Sequence, residues 1–142
     1  MSRILCVIDG MTDPHFQVER YGHLASTGSV RYVDTCGGFP PKTLHCVLRL
    51  LGVTDLDAKT EAALRAAERC PFVLLHINGA DEAAHRHDSA EKETFLRRVD
   101  DRVLSRLLAS EHEIMVASDH GADPENGAHL GGPQPFLPAV KW

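Results

Sequence analysis

A chain of 142 residues has the length of one domain with a core of its own, so residues 1–142 are read as a single domain. Its 43% apolar and 25% charged residues are those of a soluble globular protein, and a formal charge of −5 argues against a polyanion-binding surface, so no nucleic-acid partner is expected. No signal-peptide pattern or apolar segment long enough to span a membrane is present; no membrane partner is expected, and the expected location is cytoplasmic. Cys6, Cys36, Cys46 and Cys70 form no close-spaced zinc pair and are read as small buried apolar filler in a reduced setting.

The first strand is expected from Arg3 to Ile8, with no leader expected ahead of it, and ends at Asp9-Gly10. An Asp in that position has an ordinary use as loop opener or helix cap. Met11 to Leu24 mixes Pro14, Gly22 and polar residues, which predicts a loop and a short helix around Phe16 to Leu24. His15 and His23 lack a partner at ligand spacing and are read as surface or capping residues. Ser29 to Thr35 alternates through Val30, Tyr32 and Val33, a second strand. Pro40-Pro41-Lys42-Thr43 then turns into a helix over Leu44 to Leu51, stopped by Gly52. Thr43 can simply cap that helix. Its hydroxyl also sits where backbone N–H groups and the helix dipole favour an anion, the position of a nucleophile beside a phosphate.

Asp57 to Arg69 is an alanine-rich helix, capped by Asp57, that packs on the sheet through Ala62, Ala63, Leu64 and Ala67. Phe72 to Ile77 is apolar except for His76, as a strand covered on both faces should be, and His76 is read as a satisfied core histidine. Beyond it, Asp81 and His85 are four apart and share one side of a helical turn. Asp88 caps the next helix with Glu91 in the box position. Phe95, Leu96, Val99, Val103, Leu104, Leu107 and Leu108 make its apolar face, opposite Lys92, Arg97, Arg98, Asp101 and Arg102, which are read as solvated surface. Glu113 to Ala117 is the next strand, running into Ser118-Asp119-His120-Gly121 and then His129, and Phe136 to Val140 adds a short edge strand. This order of elements predicts a three-layer α/β/α sandwich with a mostly parallel sheet.

Ligands in open α/β sheets gather outside the carboxyl ends of the strands. Three strand ends here carry Asp9, Asp81 with His85, and Asp119-His120 with His129. Together they form a mixed oxygen and nitrogen donor set large enough for two divalent cations, with manganese or zinc expected.

Ile8-Asp9-Gly10-Met11, Asp81-Glu82-Ala83-Ala84-His85, Ser118-Asp119-His120-Gly121 and Gly127-Ala128-His129 resemble, in order and rough spacing, the motifs of the cofactor-independent (2,3-bisphosphoglycerate-independent) phosphoglycerate mutases of archaeal type. The resemblance extends to the metal-dependent core of the alkaline phosphatase superfamily. It implies one metal held by Asp81, His85 and His129, and another by Asp9, Asp119, His120 and the nucleophile. The family's nucleophile is a serine after a Pro-Pro-Gly turn; Pro40-Pro41-Lys42-Thr43 and Leu50-Leu51-Gly52 occupy that frame, which puts Thr43 in the role. Family members insert a cap domain between the nucleophile helix and the Asp81 element, where this chain has only Val53 to Pro71.

The resemblance therefore implies a two-metal phosphoryl-transfer enzyme, a phosphatase or phosphomutase, working through a phosphothreonine on a small phosphate or phosphonate ester. Without a cap, a homo-oligomer or a partner chain is the candidate cover for the open site. The competing reading is a metal-binding scaffold or subunit without independent catalysis.

Overall fold

In a computed structural model of the chain, residues 2–28, 30–33, 56–77, 79–118, 120–130 and 132–137 are described, with the side chains of residues 31, 33 and 81 outside that description. The elements are, in chain order, β1 (Arg3–Ile8), α1 (Gly22–Ser26), β2 (Arg31–Val33), α2 (Leu56–Ala67), β3 (Phe72–Ile77), α3 (Gly79–His85), α4 (Ser89–Arg98), α5 (Ser105–Ala109), β4 (Glu113–Ala117), β5 (Gly121–Ala122), β6 (His129–Leu130) and β7 (Gln134–Leu137). A 3₁₀ turn at Val18–Arg20 precedes α1, and a π-helical stretch at Val99–Leu104 joins α4 to α5. The predicted helix from Leu44 to Leu51, with Thr43 at its start, lies outside the described residues.

The three apolar runs that lead to ligand-type residues lie side by side in the sheet. The strand order is β2-β7-β4-β1-β3, and β1 pairs in parallel with both β3 and β4. Ile8 lies opposite Ile77 and Val7 opposite Ala117, so these strands end together and deliver their following loops to one edge. The Asp9 backbone N–H continues the ladder by donating to the Ile77 carbonyl at 2.7 Å. β7 pairs antiparallel with β4 and β2. It was expected at an edge but lies inside the sheet. Its proline does not prevent this, because the ladder with β4 uses Phe136 and Leu137, and Pro135 falls beyond it.

Alternation along the strands sorts side chains to two faces. Ile4, Cys6, Ile8, Val73, Leu75, Ile77, Ile114 and Val116 bury against Leu24 of α1, Ala63, Ala66 and Ala67 of α2, and Leu96, Val99, Val103 and Leu107 of the long helical segment. Each such Leu or Ile contributes about 1.5–3 kcal/mol by leaving water. Leu5, Val7, Phe72, Met115, Ala117 and Phe136 form a second buried cluster on the other face. α2 packs as expected, with Ala63 and Ala67 buried and Ala62 and Leu64 half-buried, but it begins at Leu56, so Asp57 lies in its first turn and is not its cap, and it ends at Ala67.

Three expectations need correcting. The helix after Asp88 does not run evenly to Leu108: its middle widens into π geometry, and Asp100 there is 5% exposed. Lys92, expected on the solvated face, is 2% exposed, because it lies one turn ahead of Leu96 on the apolar stripe. Cys6 is a free, buried thiol as expected, but Cys70 is disulfide-bonded. No helix among the described residues is long and apolar enough to cross a membrane.

Candidate metal centre

Asp9 leaves β1 directly into a turn, and its carboxylate meets two imidazoles. His120, from the loop after β4, places Nε2 2.7 Å from Asp9 Oδ1, and His76, near the end of β3, places Nε2 3.6 Å from Asp9 Oδ2. The His76 side chain is 13% exposed and that of Asp9 16%, so the pair sits in a shielded environment. The sequence reads His76 as a satisfied core histidine, and it does lie within the strand; the group it faces, which that reading does not name, is the Asp9 carboxylate. Behind it, Lys59 is 3% exposed and donates to the His76 carbonyl at 3.4 Å. Burial pushes the Lys59 ammonium below its ordinary pKa, against the opposing pull of Glu82 and Cys6.

His120 is oriented from behind. A carbonyl can only accept, so the 2.8 Å contact between Nδ1 and the Gly121 carbonyl puts the proton on Nδ1 and turns Nε2 toward Asp9. That arrangement, one ring nitrogen donating to backbone and the other facing the site, is how metal-ligating histidines are held. Ser118, fully buried, donates from Oγ to the His120 carbonyl at 2.8 Å and fixes the same loop.

The second half of the cluster comes from α3 and the β5–β6 hairpin. α3 carries Asp81 and His85 one turn apart, and β6 opens with His129 opposite Ala122 of β5. The intervening loop closes on itself: Asp123 Oδ1 accepts from Glu125 N–H, Asn126 Oδ1 accepts from Ala128 N–H, and Gly127 N–H donates to the Asp123 carbonyl. As a result His129 Nε2 stands 3.2 Å from His85 Nε2, and the His129 ring stacks on His120 with centroids 4.2 Å apart. The line His76, Asp9, His120, His129, His85 is thus continuous.

The donor chemistry suits divalent cations. Two imidazole nitrogens bound to one tetrahedral ion at about 2.0–2.1 Å lie roughly 3.3 Å apart, close to the His85–His129 separation. Of the expected ligands, Asp9, His85, His120 and His129 are brought together. Asp81 has its backbone on α3 in register with His85, while Asp119 and Thr43 lie outside the described residues.

His23, Asp100 and Asp101 also bring ligand atoms within 4.8 Å of one another. That group is a helix cap. Asp100 accepts from the backbone N–H groups of His23 (3.1 Å) and Leu24 (2.7 Å) and contacts His23 Nδ1 at 3.2 Å, serving the start of α1, where Tyr21 provides no side-chain cap. His23 is exposed, as a surface residue, and is capped by Asp100 rather than capping; His15 is an exposed partner of Glu125.

An α/β fold that collects carboxylate and imidazole groups outside the carboxyl ends of parallel strands belongs to the class of metal-site proteins. Residues 42–141 match the Metalloenzyme superfamily, and the chain belongs to that family. It is similar to a 2,3-bisphosphoglycerate-independent phosphoglycerate mutase of Methanoculleus marisnigri, 37% identical over 84 residues, covering 59% of this chain and 20% of that protein. A second such mutase, from Methanothermobacter thermautotrophicus, is 37% identical over 88 residues, covering 59% of this chain and 22% of its own length. Among solved structures, the PH0037 protein from Pyrococcus horikoshii superposes with a TM-score of 0.52 at 29% identity, over 59% of this chain and 26% of that one. The chain spans about a fifth of the length of these curated relatives.

Proposed function

We propose that the chain is a two-metal-dependent phosphoryl-transfer domain that acts on a small phosphate or phosphonate ester. The observation that carries this reading is the meeting of Asp9 with His120 and of His85 with His129 at one sheet edge, within a single line of side chains. Asp81, His85 and His129 would hold one ion, and Asp9, Asp119, His120 and Thr43 the other, with manganese or zinc suited to that mixture of oxygen and nitrogen donors. Bound there, the ions would neutralise charge on the phosphoryl oxygens and favour the ionised form of a nearby hydroxyl.

Thr43 is the nucleophile in this reading. Its oxygen forms a bond to phosphorus as the bond to the departing alcohol breaks, and the phosphothreonine is then cleaved by water or by a second substrate hydroxyl. Hydrolysis is the simpler outcome, since a mutase has to retain and reorient its intermediate in a site closed to water. The similarity to phosphoglycerate mutases supports phosphoryl transfer.

The test is a screen of small phosphate and phosphonate esters with manganese- and zinc-loaded protein, run beside Thr43→Ala and Thr43→Ser. Turnover by the parent is expected, lost in Thr43→Ala and largely kept in Thr43→Ser. Thr43→Ala should lower stability by only about 1 kcal/mol as a lost cap. Turnover by Thr43→Ala at the parent rate removes the nucleophile assignment. A loaded protein that turns over none of the esters is a metal-binding scaffold or subunit instead.

A further inference from the structure

α4 contributes a charged group to a place its own sequence does not suggest. Lys92 is 2% exposed, and a buried ammonium is costly unless its donors are met. Its Nζ donates to the Thr12 carbonyl at 3.2 Å, to Asp13 Oδ2 at 2.8 Å and to the Ala122 carbonyl at 2.7 Å. These acceptors belong to two different loops. Thr12 and Asp13 follow Asp9 out of β1, and Ala122 lies two residues beyond His120.

The same two loops touch directly. The Ala122 N–H donates to the Thr12 carbonyl at 2.8 Å, and Thr12 Oγ1 donates to Gln134 Oε1 at the start of β7. Contact is close enough that a Cβ on Gly121 would stand 2.9 Å from Thr12 Oγ1 and 3.0 Å from the Thr12 carbonyl. Across this joint Asp9 Oδ1 and His120 Nε2 stand 2.7 Å apart. An ammonium on a flexible stem can meet acceptors converging from several directions, which the planar fork of a guanidinium cannot.

We propose that Lys92 is a positioning residue that ties the loop carrying Asp9 to the loop carrying His120, and so sets the spacing of those two side chains for one cation. The proposal rests on the metal reading above and adds a residue outside the ligand set. A role confined to general stability would weaken both halves of the metal centre equally or neither. A positioning role weakens the Asp9–His120 half most, with a smaller effect at His129, which pairs with Ala122, and none at His85.

The measurement is a zinc titration followed through the histidine ring resonances of the full chain by NMR, in the parent, in Lys92→Met and in Asp13→Asn. Asp13→Asn removes the anion that anchors the ammonium while keeping the side chain's shape, and it serves if Lys92→Met does not fold. In the parent, His120, His85 and His129 should all respond. In a folded variant, His85 should saturate at the parent zinc concentration and His129 close to it, while His120 requires about tenfold more or greater, the size expected for groups that orient ligands. Parent-like response of His120 in whichever variant folds, or equal weakening at all three histidines, overturns the proposal. Absence of any zinc response at His120 in the parent overturns the metal reading instead, and this proposal with it.

Discussion

At position 127 the backbone has φ +72°, and a Cβ there would stand 2.9 Å from His87 Nε2. Both facts require glycine in the loop that brings His129 to His85. Gly127→Ala should cost at least about 1 kcal/mol, read from the urea midpoint, and should weaken zinc binding at His85 and His129 more than at His120. Cys6 makes a separate prediction. Full burial raises its thiol from 9.0 to about 12, with Lys59 opposing. Between those values the folded chain keeps the proton and the unfolded chain releases it, so the unfolded state binds fewer protons and stability falls as pH rises through that window. Urea midpoints measured from pH 8 upward should show this decline, and Cys6→Ala, though less stable at pH 8, should show a shallower one. The meeting of Asp9 with His120 was legible in outline, because both follow closely on the ends of neighbouring strands, β1 and β4. Lys92 was misread because its charge outweighed its position, although Lys92, Leu96, Val99 and Val103 follow the helical spacing of one buried stripe. The contact of His76 with Asp9 was beyond local pattern, since it depends on the parallel register of β3 with β1.

Among the elements, β1, β3 and β4 were readable from continuous apolar runs bounded by turn residues, and α4 from its cap, where Asp88 accepts from the Glu91 N–H at 2.9 Å. The π-helical stretch was not readable. A pattern averaged over the whole segment fits ordinary helical spacing, and the widened turn shows only in where Asp100 ends up. It matters for α1, a five-residue helix whose first N–H groups depend on that carboxylate. Asp100→Ala should leave those donors without their acceptor at a cost of about 1–3 kcal/mol, whereas Asp100→Asn, which keeps one oxygen, should lose less. Amide exchange at His23 and Leu24 reports the local effect; unchanged protection there in Asp100→Ala would show that α1 does not need the cap. The position of β7 was misjudged for a related reason. Its pairings join it to β2, about a hundred residues earlier, and no local pattern carries that distance.

For the molecule as a whole, parallel pairing of β1 with β3 and β4 makes three strands end at one edge, and that topology is what turns scattered Asp and His residues into one cluster. The α/β class was legible from the apolar runs, and the metal-type motifs because they follow β1, β3 and β4 within a few residues. The pairing of His85 with His129 was less so, since it depends on how the β5–β6 hairpin folds back on α3. Family membership and geometry agree on a metal centre, and the most direct measurement of it is the metal content of the folded chain after loading with zinc or manganese and removal of excess. Two divalent ions per chain are expected. Asp81→Ala should lose the ion shared with His85 and His129, and Asp119→Ala the ion shared with Asp9 and His120, each keeping the other. Fewer than one ion per chain, in protein whose circular dichroism and cooperative unfolding show the fold intact, would contradict the two-metal centre.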